Sequence, residues 1–257
     1  MENFDEINNA INLIQSGMPT NHVSDEIVQE ANRLLGRVTS VLSSNTQSIE
    51  LDDRWFSASG DISPYQWNRH MAHMRKEMGD QGDSIMTKIG IDADRIMDEL
   101  PDPRPVGAEF NRRGLVLGSV QSGKTANFTA VISKAADAGY DLIIVFAGLI
   151  DDLREQTQER MNRTLTGLKG KADDGWIAVS DDPRRKWKSL TSMDSDFDLG
   201  NNPDWLKSKA PKLIVMKKNH KILDKLHYWL DQVTPKVLSR RRVLVIDDEC
   251  DHASINT

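Results

Sequence analysis

Apolar residues follow two different rhythms along the chain. In the first hundred residues they recur at three- and four-residue spacing, as in Ile27, Ala31, Leu34, Leu35, Val38 and Leu42, which share one face of a helix. The pattern predicts helices over 4–15 and 23–42 and, after a mainly polar stretch from Ser43 to Gly60, a second pair over 64–78 and 84–100. Ser63 is placed to cap the third helix, with Pro64 at its first position. The segment PDPRP, 101–105, then interrupts the pattern, and a domain boundary is expected there. The expected division is an α-helical amino-terminal region, 1–104, and a second domain, 105–257.

Beyond it, short aliphatic runs alternate with amphipathic stretches. GLVLGS (114–119), DLIIVFAG (141–148), WIAVS (176–180), KLIVMKK (212–218) and RVLVIDD (242–248) read as strands. Helices are expected over 124–137, 151–165 and 219–232. Strands without polar alternation, mostly followed by helices, predict an α/β fold with a parallel sheet buried on both faces. The polar stretch 181–210, with Pro183, Gly200 and Pro203, reads as an excursion from that sheet.

Composition narrows the class. The chain has 257 residues, 38% of them hydrophobic, enough for a sizeable core. Its longest apolar run, 142–150, is far below the roughly 20 residues that span a bilayer, and no charged-then-apolar leader opens it, so a cytoplasmic protein with no membrane partner is expected. The single cysteine, Cys250, leaves no internal disulfide and no cysteine-based zinc site. Charge is uneven: residues 1–100 hold 8 Lys and Arg against 17 Asp and Glu, and the rest hold 25 against 22. The basic runs Arg184-Arg185-Lys186-Trp187-Lys188 and Arg240-Arg241-Arg242 read as solvated surface before they read as nucleic-acid contacts.

One segment carries explicit chemistry. Gly118-Ser119-Val120-Gln121-Ser122-Gly123-Lys124-Thr125 satisfies the phosphate-loop pattern G-x-x-x-x-G-K-[ST]. Two glycines let successive backbone N–H groups face a phosphate, Lys124 reaches the β and γ phosphates of ATP, and the Thr125 hydroxyl binds Mg2+. An apolar run enters the loop and a helical pattern leaves it, so a helix amino terminus faces the anion.

Such a loop needs an acidic partner for magnesium and for the attacking water. The run 243–246 leads into Asp247, Asp248 and Glu249, delivering them to the carboxyl end of the sheet, where open α/β sheets bind ligands. Asp248-Glu249-Cys250-Asp251 has the D-E-x-D form of helicase-like ATPases, which assigns magnesium to Asp248 and the base to Glu249. Asp247 competes for the metal role.

Roughly 120 residues separate Lys124 from Asp248, and no LSGGQ-like signature precedes the acidic strand, which disfavours an ABC-type ATPase. In a helicase-like core the segment after the first crossover strand touches a nucleic-acid backbone. Here it runs from Gly148 to Arg160, and Arg154, Gln156, Gln158 and Arg160 are its candidate phosphate contacts, with a solvated helix face as the alternative.

Taken together, GLVLGSVQSGKTANF, FAGLIDDLREQTQERM, VMKKNHKILDKLHYWL and VLVIDDECDHASINT resemble the Z-one domain family, proteins labelled putative endonucleases and linked to superfamily-two helicases. The resemblance covers about 105–257. It implies a RecA-like P-loop NTPase lobe, ATP and Mg2+ as cofactors, DNA as a partner, and a setting in restriction or anti-phage gene clusters beside methyltransferases and nucleases. Gly123, Lys124 and Thr125 take the family's loop roles, and Asp248, Glu249 and Asp251 its acidic ones. A second RecA-like lobe with an arginine finger is expected in a carboxy-terminal part beyond residue 257, and without it hydrolysis should be slow, since that arginine is worth roughly 10³–10⁵ in rate.

Other constellations fail. No lysine has Asp or Glu two positions before it, which removes a PD-(D/E)xK nuclease. Asp194, Asp196 and Asp198 resemble the start of a calcium loop but lack its glycine and its glutamate. His70 and His73 lie three apart on one helix and lack a third ligand.

Overall fold

In the computed structural model, residues 54–79, 82–107, 110–116, 124–171 and 174–248 are described, together with Ser24 and Ile27, and Lys124 and Thr125 by their backbone. The helices expected over 4–15 and 23–42 lie outside these residues, apart from Ile27, which is helical. Two compact units divide the chain, Met1–Arg54 and Trp55–Thr257. The boundary expected near 104 is therefore corrected: PDPRP is an irregular, bent stretch inside the second unit.

The reason is a shared core. Helices α1 (Tyr65–Met78) and α2 (Gly82–Glu99) do not stand apart from the sheet. Ala93 and Met97 of α2 are buried in one cluster with Ile132 and Ala135 of α3 (Lys124–Ala138) and with sheet residues Ile143 and Val145. Gly90 allows the approach of α1 to α2, because a Cβ there would lie 2.9 Å from the Trp67 ring. The expected cap of α1 is also corrected. Pro64 occupies the cap position without a side-chain bond, and Asp137 of α3 instead accepts the backbone N–H groups of Gln66 at 2.8 Å and Trp67 at 2.9 Å.

The sheet is α/β in kind and wholly parallel. Its strands are β1 (Leu142–Ala147), β2 (Lys188–Ser189), β3 (Lys212–Met216) and β4 (Val243–Asp248), in the order β2-β3-β1-β4. Leu142 pairs with Lys212 on one side and Val243 on the other, and Ala147 reaches Asp248. Strands β1 and β3 are almost completely buried, as their unbroken aliphatic runs require. One face packs α3 and α4 (Asp151–Met161) through Ile143, Val145, Leu213, Val215 and Leu244. The other packs Leu226 and Trp229 of α5 (His220–Asp231) against Leu142, Ile144, Ile214 and Met216. A short helix α6 (Pro235–Leu238) precedes β4.

Three expected elements differ. WIAVS is irregular: Ile177 donates its N–H to Arg163 O at 2.7 Å, and the Tyr65 hydroxyl meets Ser180 Oγ at 2.6 Å, so tertiary bonds replace a ladder. The helix expected over 151–165 changes at Asn162 into a π-helical turn, Asn162–Thr166, closed by left-handed Gly167. A Cβ on Gly167 would meet Ile177 O at 2.2 Å, so close packing as well as φ demands glycine. Finally, 114–116 is not a strand, and Leu115 and Val116 are exposed.

A buried charge cluster locks the amino ends of the strands. Arg241 bonds Asp141 Oδ2 at 2.5 Å and Ser208 O at 3.0 Å, and Arg242 reaches Pro103 O at 2.9 Å and Pro105 O at 3.1 Å. Lys212, fully buried, donates to Ser208 O, and burial pushes its ammonium down to about 8. Two of the three arginines in 240–242 are thus structural. In the other basic run Trp187 is buried, and the Arg185 guanidinium lies 4.5 Å from the centre of the Tyr65 ring.

Candidate functional site

The carboxyl ends of the strands gather charged side chains from the connections after β1 and β3 and from the end of β4. After β1, Gly148 turns with φ +78°, and Asp151 opens α4. After β3 come Lys217, whose ammonium is 2.7 Å from Asp151 Oδ1, and Lys218, 2.6 Å from Asp247 Oδ2. The Lys218 N–H also bonds Gly148 O at 2.9 Å, which ties the β1 and β3 connections together. Its hydrogen bond from Lys217 holds the Asp151 carboxyl below the usual carboxylate range. The reading from sequence missed Lys217 and Lys218. The signal was present in KLIVMKK, where two lysines follow directly on a buried strand.

Strand alternation separates the two candidate aspartates. Leu244 and Ile246 face the cluster under α3, so Asp248, two residues on, shares that face. Val243, Val245 and Asp247 occupy the other face, where Lys218 takes Asp247. Helix α3 begins at Lys124 and packs on the Asp248 face. Its first turn also holds Asn127, whose Oδ1 is buried without a hydrogen-bond partner. Gly118, Ser119, Val120, Gln121, Ser122 and Gly123 lie outside the described residues, as do Glu249, Cys250 and Asp251. Among the described residues no three His, Cys, Asp or Glu side chains group as a metal site.

The four candidate phosphate contacts on α4 divide into two pairs. Arg154 is buried, and its guanidinium donates to Ser192 O at 2.7 Å and Met193 O at 2.6 Å. Gln158 is buried too. It accepts from the Thr191 hydroxyl at 2.6 Å and donates to Asn162 Oδ1 at 3.1 Å, while Thr191 Oγ1 accepts the Val215 N–H at 2.9 Å. These two side chains tie α4 to the segment around β2 and to β3, and offer nothing to a phosphate. Helical spacing explains the split, since positions 154, 158 and 161 fall on the sheet-facing stripe. Gln156 and Arg160 are exposed and line a cavity of about 350 Å³ with His73, Glu77 and Arg163.

Arg154→Ala is expected to destabilise the protein by about 3 kcal/mol, because two interior carbonyls lose charged donors and a void remains. Gln156→Ala should stay within about 0.5 kcal/mol of the parent. Chemical denaturation of the two variants measures both.

The neighbouring pair His70 and His73 is also resolved. His70 is buried, its Nδ1 lies 3.0 Å from Thr164 O in the π turn, and burial pushes its pKa down to about 4. It is a neutral core histidine. Among the described residues no helix is long and apolar enough to cross a membrane.

Comparison with known proteins returns no match to a family model, to a curated protein or to a solved structure.

Proposed function

We propose that 105–257, together with the helices α1 and α2 that share its core, forms a RecA-like P-loop ATPase lobe, similar to superfamily-two helicases and to the Z-one family, that works with DNA in the bacterial cytoplasm in restriction or anti-phage defence. The observation that carries the reading is the shared face of α3 and Asp248. A helix that starts at the lysine of G-x-x-x-x-G-K covers the face of a parallel sheet on which the acidic strand β4 ends in Asp248. That relation is what a phosphate loop and its acidic partner require.

On this reading the backbone of 118–123 receives the phosphates, and Lys124 neutralises their β and γ oxygens. Thr125 and Asp248 would hold Mg2+, which would supply neutralisation of the phosphate charge. Glu249 takes the proton from water. Asp247, bound to Lys218 on the far face, positions the connection after β3 and does not touch the metal.

Lys124→Ala is expected to weaken Mg-ATP binding at least tenfold, since it removes the one cationic side chain in the loop sequence. Unchanged affinity in equilibrium binding would end the ATPase reading. The interior bonding of Arg154 and Gln158 favours a second reading, a nucleotide-switched protein-interaction module, because half of the expected nucleic-acid contacts are absent from the surface. Glu249→Gln separates the two. A switch keeps its partner when ATP is bound and not hydrolysed, whereas a DNA-dependent motor stalls. An endonuclease partner, or a nuclease region outside these residues, is compatible with either.

A further inference from the structure

Glu159 of α4 and Arg163 of the π turn that continues it stand four residues apart, with the acid on the amino side. In an unbroken α-helix that spacing favours an ion pair. The π turn begins between them, at Asn162, and the pair is not made. Among the described residues neither side chain forms an ion pair or a hydrogen bond, although both are half-buried. Both instead line the cavity of about 350 Å³ between α1 and α4. Charges held partly out of water are costly unless an opposite charge reaches them.

The turn that carries Arg163 is fixed by interior bonds. Asn162 Oδ1 accepts from Gln158 Nε2 at 3.1 Å and from the Thr166 hydroxyl at 3.2 Å, and His70 Nδ1 donates to Thr164 O at 3.0 Å. Such π turns are found frequently at functional sites. Gly175 leaves room beside the guanidinium: its φ is +77°, and a Cβ there would lie 3.0 Å from Arg163 Nη2 and 3.3 Å from Glu77 Oε2. Any side chain at 175 would fill that space.

The charges around the cavity are balanced. Glu77 and Glu159 stand against Arg160 and Arg163. His73 lies among them, and burial, opposed by Glu77 and reinforced by Arg163, holds its imidazole below the usual histidine range. An anion alone would meet two carboxylates, and a cation alone two guanidiniums. The carboxylates also disfavour a nucleic-acid backbone. We propose that this cavity binds a small zwitterion of the α-amino acid class, its carboxylate on Arg163 and its ammonium on Glu159. Such a ligand supplies to each side chain the partner that the π turn withholds. The volume falls within the roughly 300–1,000 Å³ of small-ligand sites. Arg163 is twelve residues beyond Asp151, about 18 Å along the helix from the carboxyl ends of the strands. The inference rests on no part of the ATPase reading.

Titration of the 257-residue chain with each standard L-amino acid, followed by calorimetry, tests the assignment. At least one is expected to bind, and esterifying its carboxylate or acetylating its amino group should each weaken it at least tenfold. The variants assign the contacts. Arg163→Gln should weaken the free amino acid at least tenfold and bind the ester as the parent does, while Glu159→Gln should behave in the same way towards the N-acetyl form. Neither side chain bonds within the described residues, so both variants should keep the parent's urea midpoint. If either fails to fold, the capped derivatives still decide the question on the parent chain. No amino acid bound at millimolar concentration overturns the proposal, and so do capped forms that bind as tightly as the free one. A single-stranded oligonucleotide whose binding is lost in Arg163→Gln, with no amino acid bound, also overturns it and makes the cavity a nucleic-acid contact.

Discussion

On the proposed ATPase reading, Asp248→Asn is expected to lower single-turnover hydrolysis of Mg-ATP by roughly 100-fold, about 3 kcal/mol of transition-state stabilisation, because a neutral amide would hold the metal less well. Asp247→Asn should leave the rate within about threefold. Both residues end the same strand and both are acidic, so a merely acidic surface would treat them alike. What distinguishes them is the alternation of β4: Asp248 follows Leu244 and Ile246 on the α3 face, while Asp247 follows Val243 and Val245 and is bound to Lys218 at 2.6 Å. Losing the partly exposed Asp247–Lys218 pair should cost no more than about 1 kcal/mol of stability. Equal losses of rate in the two variants would contradict the assignment, and a reversed order would transfer the metal role to Asp247.

The second large effect is on stability against pH, where buried His70 of α1 and half-buried Asp137 of α3 oppose each other. His70 has its folded pKa pushed down by burial to about 4 from 6.5. Its contribution is complete above pH 6.5 and is lost as pH falls towards 4, a total of about 3 kcal/mol. Asp137 is shifted the other way. Burial pushes its carboxyl up to about 6 from 3.8, against the hydrogen bonds from Gln66 and Trp67. Its contribution is complete below pH 3.8 and is lost as pH rises through 6, so on acidification it offsets His70. From these two groups, stability should change by less than about 1 kcal/mol between pH 7.5 and 5. The variants expose the balance. Relative to its own value at pH 7.5, Asp137→Asn should lose about 2 kcal/mol by pH 5, while His70→Leu should gain about 1 kcal/mol over the same range. Urea unfolding at the two pH values checks both signs. Parallel pH profiles for parent and variants would show that neither group titrates in this window.

Much of the fold was legible because buried parallel strands need little context. DLIIVFAG, KLIVMKK and RVLVIDD each form a strand, in the sheet as β1, β3 and β4. Asn219 accepts the Lys221 N–H at 2.9 Å, and α5 follows within one residue of the span the spacing predicts. WIAVS failed where a short apolar run found tertiary partners instead of a ladder. Part of the candidate site was legible by the same local logic, since a strand that ends in acids announces itself.

What the amino-acid sequence determined by itself is the α/β alternation, the helical pattern of α1 and α2, the position of G-x-x-x-x-G-K before a helix, and the acidic end of β4. These follow from local periodicity and residue type. The tertiary structure decided the rest. It joined α1 and α2 to the core of the sheet and moved the unit boundary to Trp55, because burial of Ala93 and Met97 depends on a distant surface. It replaced an expected local cap with Asp137, seventy residues away, and it turned Arg154 and Gln158 inward. It also decided which face of β4 lies under α3, and so which of Asp247 and Asp248 shares that face. None of these can be read from spacing alone, because each depends on which element covers which face, and that is settled by packing between segments far apart in the chain.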